Sequence, residues 1–569
     1  MTRLFNDPAA FADEMIEGFV AANSAQVRRV TGGVVRSTVS TPGTVAVIIG
    51  GGSGHYPAFG GIVGQGLAHG AAMGNLFASP SAQQVLSVSK AANLGGGVLL
   101  TYGNYAGDVL NFTHAQEQLR ADGIDTRTVV VTDDIASASI AEKHKRRGIA
   151  GDLTVFKAAA AASEAGYSLD DVERVAQKAN DMTRSFGVAF TGCTLPGAAE
   201  PLFTIPDGRM GVGIGIHGEP GIDETDIPTA DGLAELFVTT LLAERPEHSG
   251  DRVAVILNGL GSIKYEELFV VYRRIAALLG QAGLTVVEPE VGELVTSFDM
   301  AGASLTLFWL DDELESFWRA PADTPAYRKG SIAATAQDTR EEALVERVEI
   351  SPASAESQLA AKTAYLAIEA IAAVIDENVD ELGRIDAVAG DGDHGIGMQR
   401  GSHAAQAAAL ELLGAGAGAQ TLLERAGDAW ADRAGGTSGA IWGAALRALA
   451  AELGDTDKPA AGSVGAGVQA AKNAILGFGA VVGDKTMVDS LVPFAETLSR
   501  EIDGGARLAD AWTVAAEAST AAAAATADLL PKMGRARPHA EKSLGTPDAG
   551  AHSLALIVTR LSRVLKENQ

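Results

Sequence analysis

The sequence predicts a two-part protein, an α/β half followed by an all-helical half. Three observations carry that expectation. In the first half, β-branched runs such as "TVAVIIGGGSGH", "GGVLLTYGNYAGD", "RTVVVTDDIAS" and "RVAVILNGLGS" alternate with helical stretches, and each run ends in Gly, Asp or Asn. That punctuation belongs to an open α/β sheet, whose ligands sit beyond the carboxyl ends of the strands. From about Ala353 the pattern changes: "AESQLAAKTAYLAIEAIAAVIDENV" carries apolar residues at helical spacing, and the later stretches are Ala- and Leu-rich with hardly any strand-like alternation. Finally, 569 residues is several times the roughly 100–200 of a typical domain, so at least two cores are expected.

Taken in order, the strand-rich half runs to "LTLFWLDDELESFW". The stretch after it, "RAPADTPAYRKGSIAATAQDTREE", is rich in Pro, Ala, Ser and Thr without a sustained period and reads as a connecting segment. The expected division is an α/β domain over residues 1–335, a linker over 336–352 and a helical domain over 353–569. Small residues recur through "HAAQAAALELLGAGAGAQTLLERAGDAW". They permit close helix approach, or reflect only strong helix propensity.

Charge narrows the partners. With 71 acids against 44 bases the net charge is −27, which argues against nucleic acid, and an anionic substrate would need local positive charge or a metal. Cys193 is the only cysteine, so no intrachain disulfide forms, and "TGCTLPG" suits a small buried hydrophobe better than a reactive thiol. The start lacks an apolar signal core and no run reaches the roughly 18 apolar residues of a membrane span. A soluble cytoplasmic protein is expected.

Glycine-rich turns hold the candidate chemistry. "GGGSGHYP" brings Gly52, Ser53, Gly54 and His55 directly after a strand, "GNYAGDVLNF" supplies Gly103 and Asp108 after another, and "GIGIHGEPG" sets His217 among glycines with Glu219 behind it. Three polar groups at strand ends, His55, Asp108 and His217, point to a site. In the second half, "RIDAVAGDGDHGIG" clusters Asp386, Asp391 and Asp393 before a helix beginning near His394. Such carboxylates suit either Mg2+, shared with substrate phosphates, or a solvated acidic helix cap. The turns "GGTSGAIWG" and "DAGAHS" could hold phosphate oxygens on backbone amides, or serve only as helix entries. Both G-x-G-x-x-G matches fail in context: acidic, proline-broken sequence follows the first, and the second puts aspartates where pyrophosphate would sit. A Walker A motif is missing.

Together, "GGGSGHYP", "NYAGDVLNF", "CTLPG", "GIGIHGEPG", "DxxxxDGDHG", "GGTSG", "GDKTMVDSL" and "DAGAHS" resemble the dihydroxyacetone kinase family over nearly the whole chain, in its single-chain, ATP-using form. The resemblance implies two α/β subdomains that bind a ketose, a helical barrel that binds ATP and Mg2+, and usually a homodimer. It implies a hemiaminal between His217 and the ketone, with His55 and Asp108 near the hydroxyl to be phosphorylated and Gly52, Ser53, Gly54 and Gly103 beside the substrate. Asp386, Asp391 and Asp393 carry over as metal ligands. His394, Gly395, Thr437, Ser438, Met487, Arg535, Asp548 and Gly550 carry over as nucleotide contacts. One departure concerns substrate. Family members acting on dihydroxyacetone commonly carry "KNYTGD", whereas this chain has "GNYAGD"; the missing lysine at Gly103 is expected to leave room for a four-carbon ketose, so erythrulose is favoured over dihydroxyacetone. Alternatives are a non-catalytic sugar-sensing regulator and an FAD-cyclising (FAD-AMP lyase) side activity.

Overall fold

The computed structural model describes residues 4–338, 350, 353–388, 390, 392–533 and 541–567. The chain divides into two compact units, Met1–Ala343 and Leu344–Gln569.

The first unit holds two sheets. One contains β1 (Val27–Val30), β2 (Gly33–Arg36), β3 (Ala46–Ser53), β4 (Gly70–Leu76), β5 (Val98–Gly103) and β6 (Thr126–Val131), in the order β1-β2-β4-β3-β5-β6. From β4 to β6 the neighbours are parallel. Every residue of β3 is buried, as expected of a central parallel strand covered on both faces. The second sheet contains β7 (Thr183–Ala189), β8 (Arg209–Val212), β9 (Asp223–Asp226), β10 (Arg252–Gly259), β11 (Thr285–Val286), β12 (Glu290–Gly292) and β13 (Gly302–Leu310). Its order is β11-β10-β13-β7-β8-β9, with β12 also on β10.

Two seams join these sheets. The chain leaving β6 meets β7 where Ser185 N donates to Asp133 O and Ile135 N to Ser185 O. The turn after β3 is held by Thr296 N donating to His55 O and Phe298 N to Gly54 O. The second seam brings the end of a strand in one sheet against a loop of the other, and it positions the site.

The Pro- and Ala-rich stretch after Trp318 is no linker over its described part. Ala322–Asp323 pairs with Arg328–Lys329, Tyr327 is buried and donates to Glu290 Oε1 at 2.9 Å, and Lys329 Nζ lies 4.3 Å from the centre of the Trp318 ring. Composition misled because a few long side chains, not periodic apolar residues, fasten this segment. The two units part between Ala343 and Leu344; residues 339–349 and 351–352 lie outside the described residues.

The second unit is helical from Ala355–Asp376 to Ala549–Glu567. Successive helices pack on one another and the last packs on the first, closing a barrel around Ile368, Ile375, Leu422, Trp430, Phe494, Leu498 and Val558. Close approach is real here. A Cβ on Gly427 would lie 3.1 Å from the Gly443 carbonyl, and one on Gly443 3.0 Å from that of Gly427, so helices Ala419–Ala434 and Gly436–Leu453 touch backbone to backbone. Helix Ala355–Asp376 is long and apolar enough to cross a membrane, but it turns Ile368, Ile371 and Ile375 into this core.

Candidate active site

His55 follows β3 and His217 follows β8, yet their Nε2 atoms lie 3.0 Å apart. His55 Nδ1 is 2.7 Å from the Thr296 carbonyl, which can only accept, so Nδ1 carries a proton. His217 Nδ1 is 3.0 Å from Glu219 Oε1 and carries one too. Neutral rings would then aim two lone pairs at each other, so one further proton must lie between the two Nε2 atoms. Burial, then the charge of His217, lowers the His55 pKa to about 3.

Glu219 backs His217 and ties it to Arg147. It accepts from the His217 backbone N–H at 3.0 Å and lies 3.8 Å from Arg147 Nη1. Burial opposes its ionisation, but His217 and Arg147 outweigh that and hold the carboxyl well below the usual range. Arg147 is fixed by Asp134 at 2.7 Å and by the Gly213 carbonyl at 3.1 Å. The glycines around His217 serve this arrangement more than the substrate: a Cβ on Gly215 would overlap Glu219 Oε2 and Arg147 Nη1, and Gly218 turns with φ +84° against Phe203.

Aromatic rings wall the pair. Phe77 stacks on His55 at 4.8 Å and meets His217 edge-on at 5.3 Å, while Tyr105 meets His217 edge-on at 4.6 Å. Phe77 holds a left-handed backbone, φ 52°, a strained conformation that clusters at functional sites. Gly52 and Gly54 make room for it, since a Cβ on either would press on Phe77. Ser53 donates its hydroxyl to Gly74 O at 2.7 Å and so ties β3 to β4. Asp108 is buried in the first turn of helix Ala106–Ala121, and its charge acts on Tyr102 and Asp152. A Cβ on Gly103 would lie 3.2 Å from Gly148 O and 3.3 Å from Asp152 Oδ2, so a buried acid adjoins that position. Cys193 is buried and its thiol is pushed up to about 11 by burial, as suits a packing residue.

In the helical unit, most of the expected residues lie at helix beginnings, while Asp386 ends helix Val379–Asp386. His394 opens helix His394–Gly414, its N–H near Asp386 Oδ2 at 3.4 Å and its Nε2 3.0 Å from Ser553 Oγ. Gly395 packs so closely on Val379 that a side chain would strike its carbonyl. Thr437 and Ser438 lie in the first turn of Gly436–Leu453, after Gly435 and Gly436 with φ 63° and 58°. Met487 opens Met487–Asp503 and contacts Gly550, and Asp548 caps the final helix by accepting from Ala551 N–H at 2.7 Å. Burial, then the charges of Asp489 and Asp386, raises Asp548 to about 7. Asp391 and Arg535 lie outside the described residues. Among the described residues no group of three acidic, His or Cys side chains could hold an ion by itself. Asp386 and Asp393 are oxygen donors of the kind Mg2+ takes, and burial, then the Asp386 charge, pushes Asp393 up to about 6.

Sequence reasoning missed Phe77, Tyr105, Arg147 and Thr296, which reach the pair from other elements. Only Glu219, two residues from His217, left a local signal.

Comparison with known proteins agrees with both halves. Residues 17–326 match the Dak1 domain and residues 388–563 the DAK2 domain, which defines a fused two-domain kinase architecture. The chain belongs to the dihydroxyacetone kinase family, with both domains in one polypeptide. It is 61% identical over 574 residues to an L-erythrulose kinase of Pectobacterium atrosepticum, covering 100% of this chain and 97% of that one. Identity is 56% over 563 residues to a D-erythrulose kinase of Mycolicibacterium smegmatis, with 98% and 97% covered. The crystal structure of the dihydroxyacetone kinase from C. freundii in complex with AMP-PNP and Mg2+ is 29% identical and covers 99% of each chain with a TM-score of 0.53.

Proposed function

We propose that this kinase transfers the γ-phosphoryl group of ATP to a terminal hydroxyl of a short ketose, erythrulose before dihydroxyacetone, held as a hemiaminal on His217. The observation that carries the reading is the His55–His217 contact with Glu219 behind it. His217 Nε2 adds to the carbonyl carbon, the C–N bond forms as the carbonyl π bond breaks, and the proton held between the rings passes to the ketone oxygen. Addition uses the Nε2 lone pair and leaves positive charge on the His217 ring, for which Glu219 is the counter-ion already in place. A covalent anchor selects for a carbonyl, because glycerol has none to attack.

Asp108 then orients the terminal hydroxyl or takes its proton. In the helical unit Asp386 and Asp393, with Asp391, would hold Mg2+, which when bound neutralises phosphate charge. The turns at His394, Thr437–Ser438, Met487 and Asp548–Gly550, with Arg535, receive the nucleotide, so most of the catalysis is positioning. A homodimer and a cytoplasmic setting belong to the same reading.

Coupled ADP-release assays with both erythrulose enantiomers and dihydroxyacetone test it. A higher kcat/KM for one erythrulose is expected, and a clear preference for the triose over both would overturn the substrate assignment. Crystals soaked with ketose should show continuous density from His217 Nε2 to C2; separated density in an active enzyme would end the covalent reading.

A further inference from the structure

Asp152 is a buried acid that the reaction above does not use. It opens helix Asp152–Glu164 and is 3% exposed, and its Oδ1 has no hydrogen-bond partner. An unmet buried carboxyl oxygen costs about 1–3 kcal/mol, so a fold that keeps one invites the question of what meets it. The approach is engineered by two glycines. A Cβ on Gly148 would lie 2.7 Å from Asp152 Oδ1 and would also overlap Gly103, while a Cβ on Gly103 would lie 3.3 Å from Asp152 Oδ2. The loop carrying Gly148 cannot drift, because Asp133 accepts from Ile149 N–H at 2.9 Å and Gly151 N–H at 2.8 Å. Asp152 is therefore held at the carboxyl end of β5, the strand end that leads into Tyr105 and Asp108. Burial, then the charges of Asp133 and Asp108, pushes it well above the ordinary carboxylate range.

We propose that Asp152 determines substrate length, its unmet oxygen taking the hydroxyl that a four-carbon ketose has and a triose lacks. The proposal rests on the ketose being held at His217, and it replaces empty space at Gly103 with a specific hydrogen-bonding group. Such a group discriminates well, because a substrate lacking the hydroxyl leaves it unpaired.

The test is the ratio of kcat/KM for the preferred erythrulose to that for dihydroxyacetone, in the full-length enzyme with saturating ATP and Mg2+. Asp152→Asn, nearly isosteric, should lower the ratio roughly tenfold through KM for the tetrulose, about 1.4 kcal/mol. Gly103→Ala sets a methyl 3.3 Å from Asp152 Oδ2, crowds the approach to the carboxyl and should lower the ratio in the same direction, which keeps the test decisive should the first variant not fold. The double variant should do no more than the stronger single one, since both changes act on one contact. An unchanged ratio in a folded variant, as when water alone occupies Asp152, would overturn the assignment. Loss of every ketose activity by the wild-type chain would instead refute the kinase reading on which it rests.

Discussion

Gly215→Ala isolates the role of the acid behind His217. The added methyl falls on Glu219 Oε2 and Arg147 Nη1, and neither can retreat freely, because Arg147 is already tied to Asp134 at 2.7 Å and to the Gly213 carbonyl. Glu219 must swing away from both of its contacts with His217, each 3.0 Å long. Gly215 is not among the glycines with positive φ, so the substitution acts through volume and not through backbone strain. A charge-assisted hydrogen bond contributes about 1.5–3 kcal/mol, and each 1.36 kcal/mol is about tenfold in rate. The expected fall in kcat/KM for the ketose is therefore roughly ten- to a hundredfold. Overpacking costs about 1–3 kcal/mol of stability, so a lowered Tm accompanies it. Steady-state kinetics beside a thermal melt separates the two: activity within about twofold of wild type in a folded Gly215→Ala enzyme would refute the argument that Glu219 supports His217.

Three further outcomes are expected. Glu219→Gln keeps an acceptor but removes the charge, so kcat/KM should fall less than in Gly215→Ala while the melting curve stays close to wild type. In the native state His55 binds its proton only near pH 3, whereas an unfolded histidine binds one near 6.5; the unfolded chain thus takes up more protons in between, and stability from this group is complete above about pH 6.5 and lost as pH falls. Melts between pH 8 and 5 should show that loss and His55→Asn should flatten it, an equal slope in the variant being the contrary result. Residues 1–335 and 353–569, expressed separately, should each melt cooperatively, and two insoluble or molten fragments would show that they share a core.

His55 and His217 were legible because each follows a β-rich run and sits among glycines, a pattern written into neighbouring residues. The helical half was legible from the 3.6-residue spacing of "AESQLAAKTAYLAIEAIAAVIDENV". What stayed hidden is what tertiary contact creates. Arg147 lies 72 positions from Glu219 by number alone, and nothing local marks Phe77 as the ring stacked on His55. Gly103 was visible as a missing lysine, but the carboxyl beside it comes from another helix. Gly215 was visible only as one glycine among several around His217, and its closeness to Glu219 and Arg147 is made by the fold. The segment after Trp318 resembled a linker because Tyr327 and Lys329 fasten it from single positions, without the repetition that sequence patterns need.

The seam between the two sheets has a consequence in the order of synthesis. His55 is separated by 162 positions from His217 and by 241 from Thr296, whose carbonyl fixes the His55 ring. A ribosome adding about 5–20 residues per second therefore completes the whole first sheet long before the loop that orients its histidine has emerged. A half-made chain can fold β3, but the histidine that follows it gains its ring partners only when nearly all of its own domain exists to enclose it.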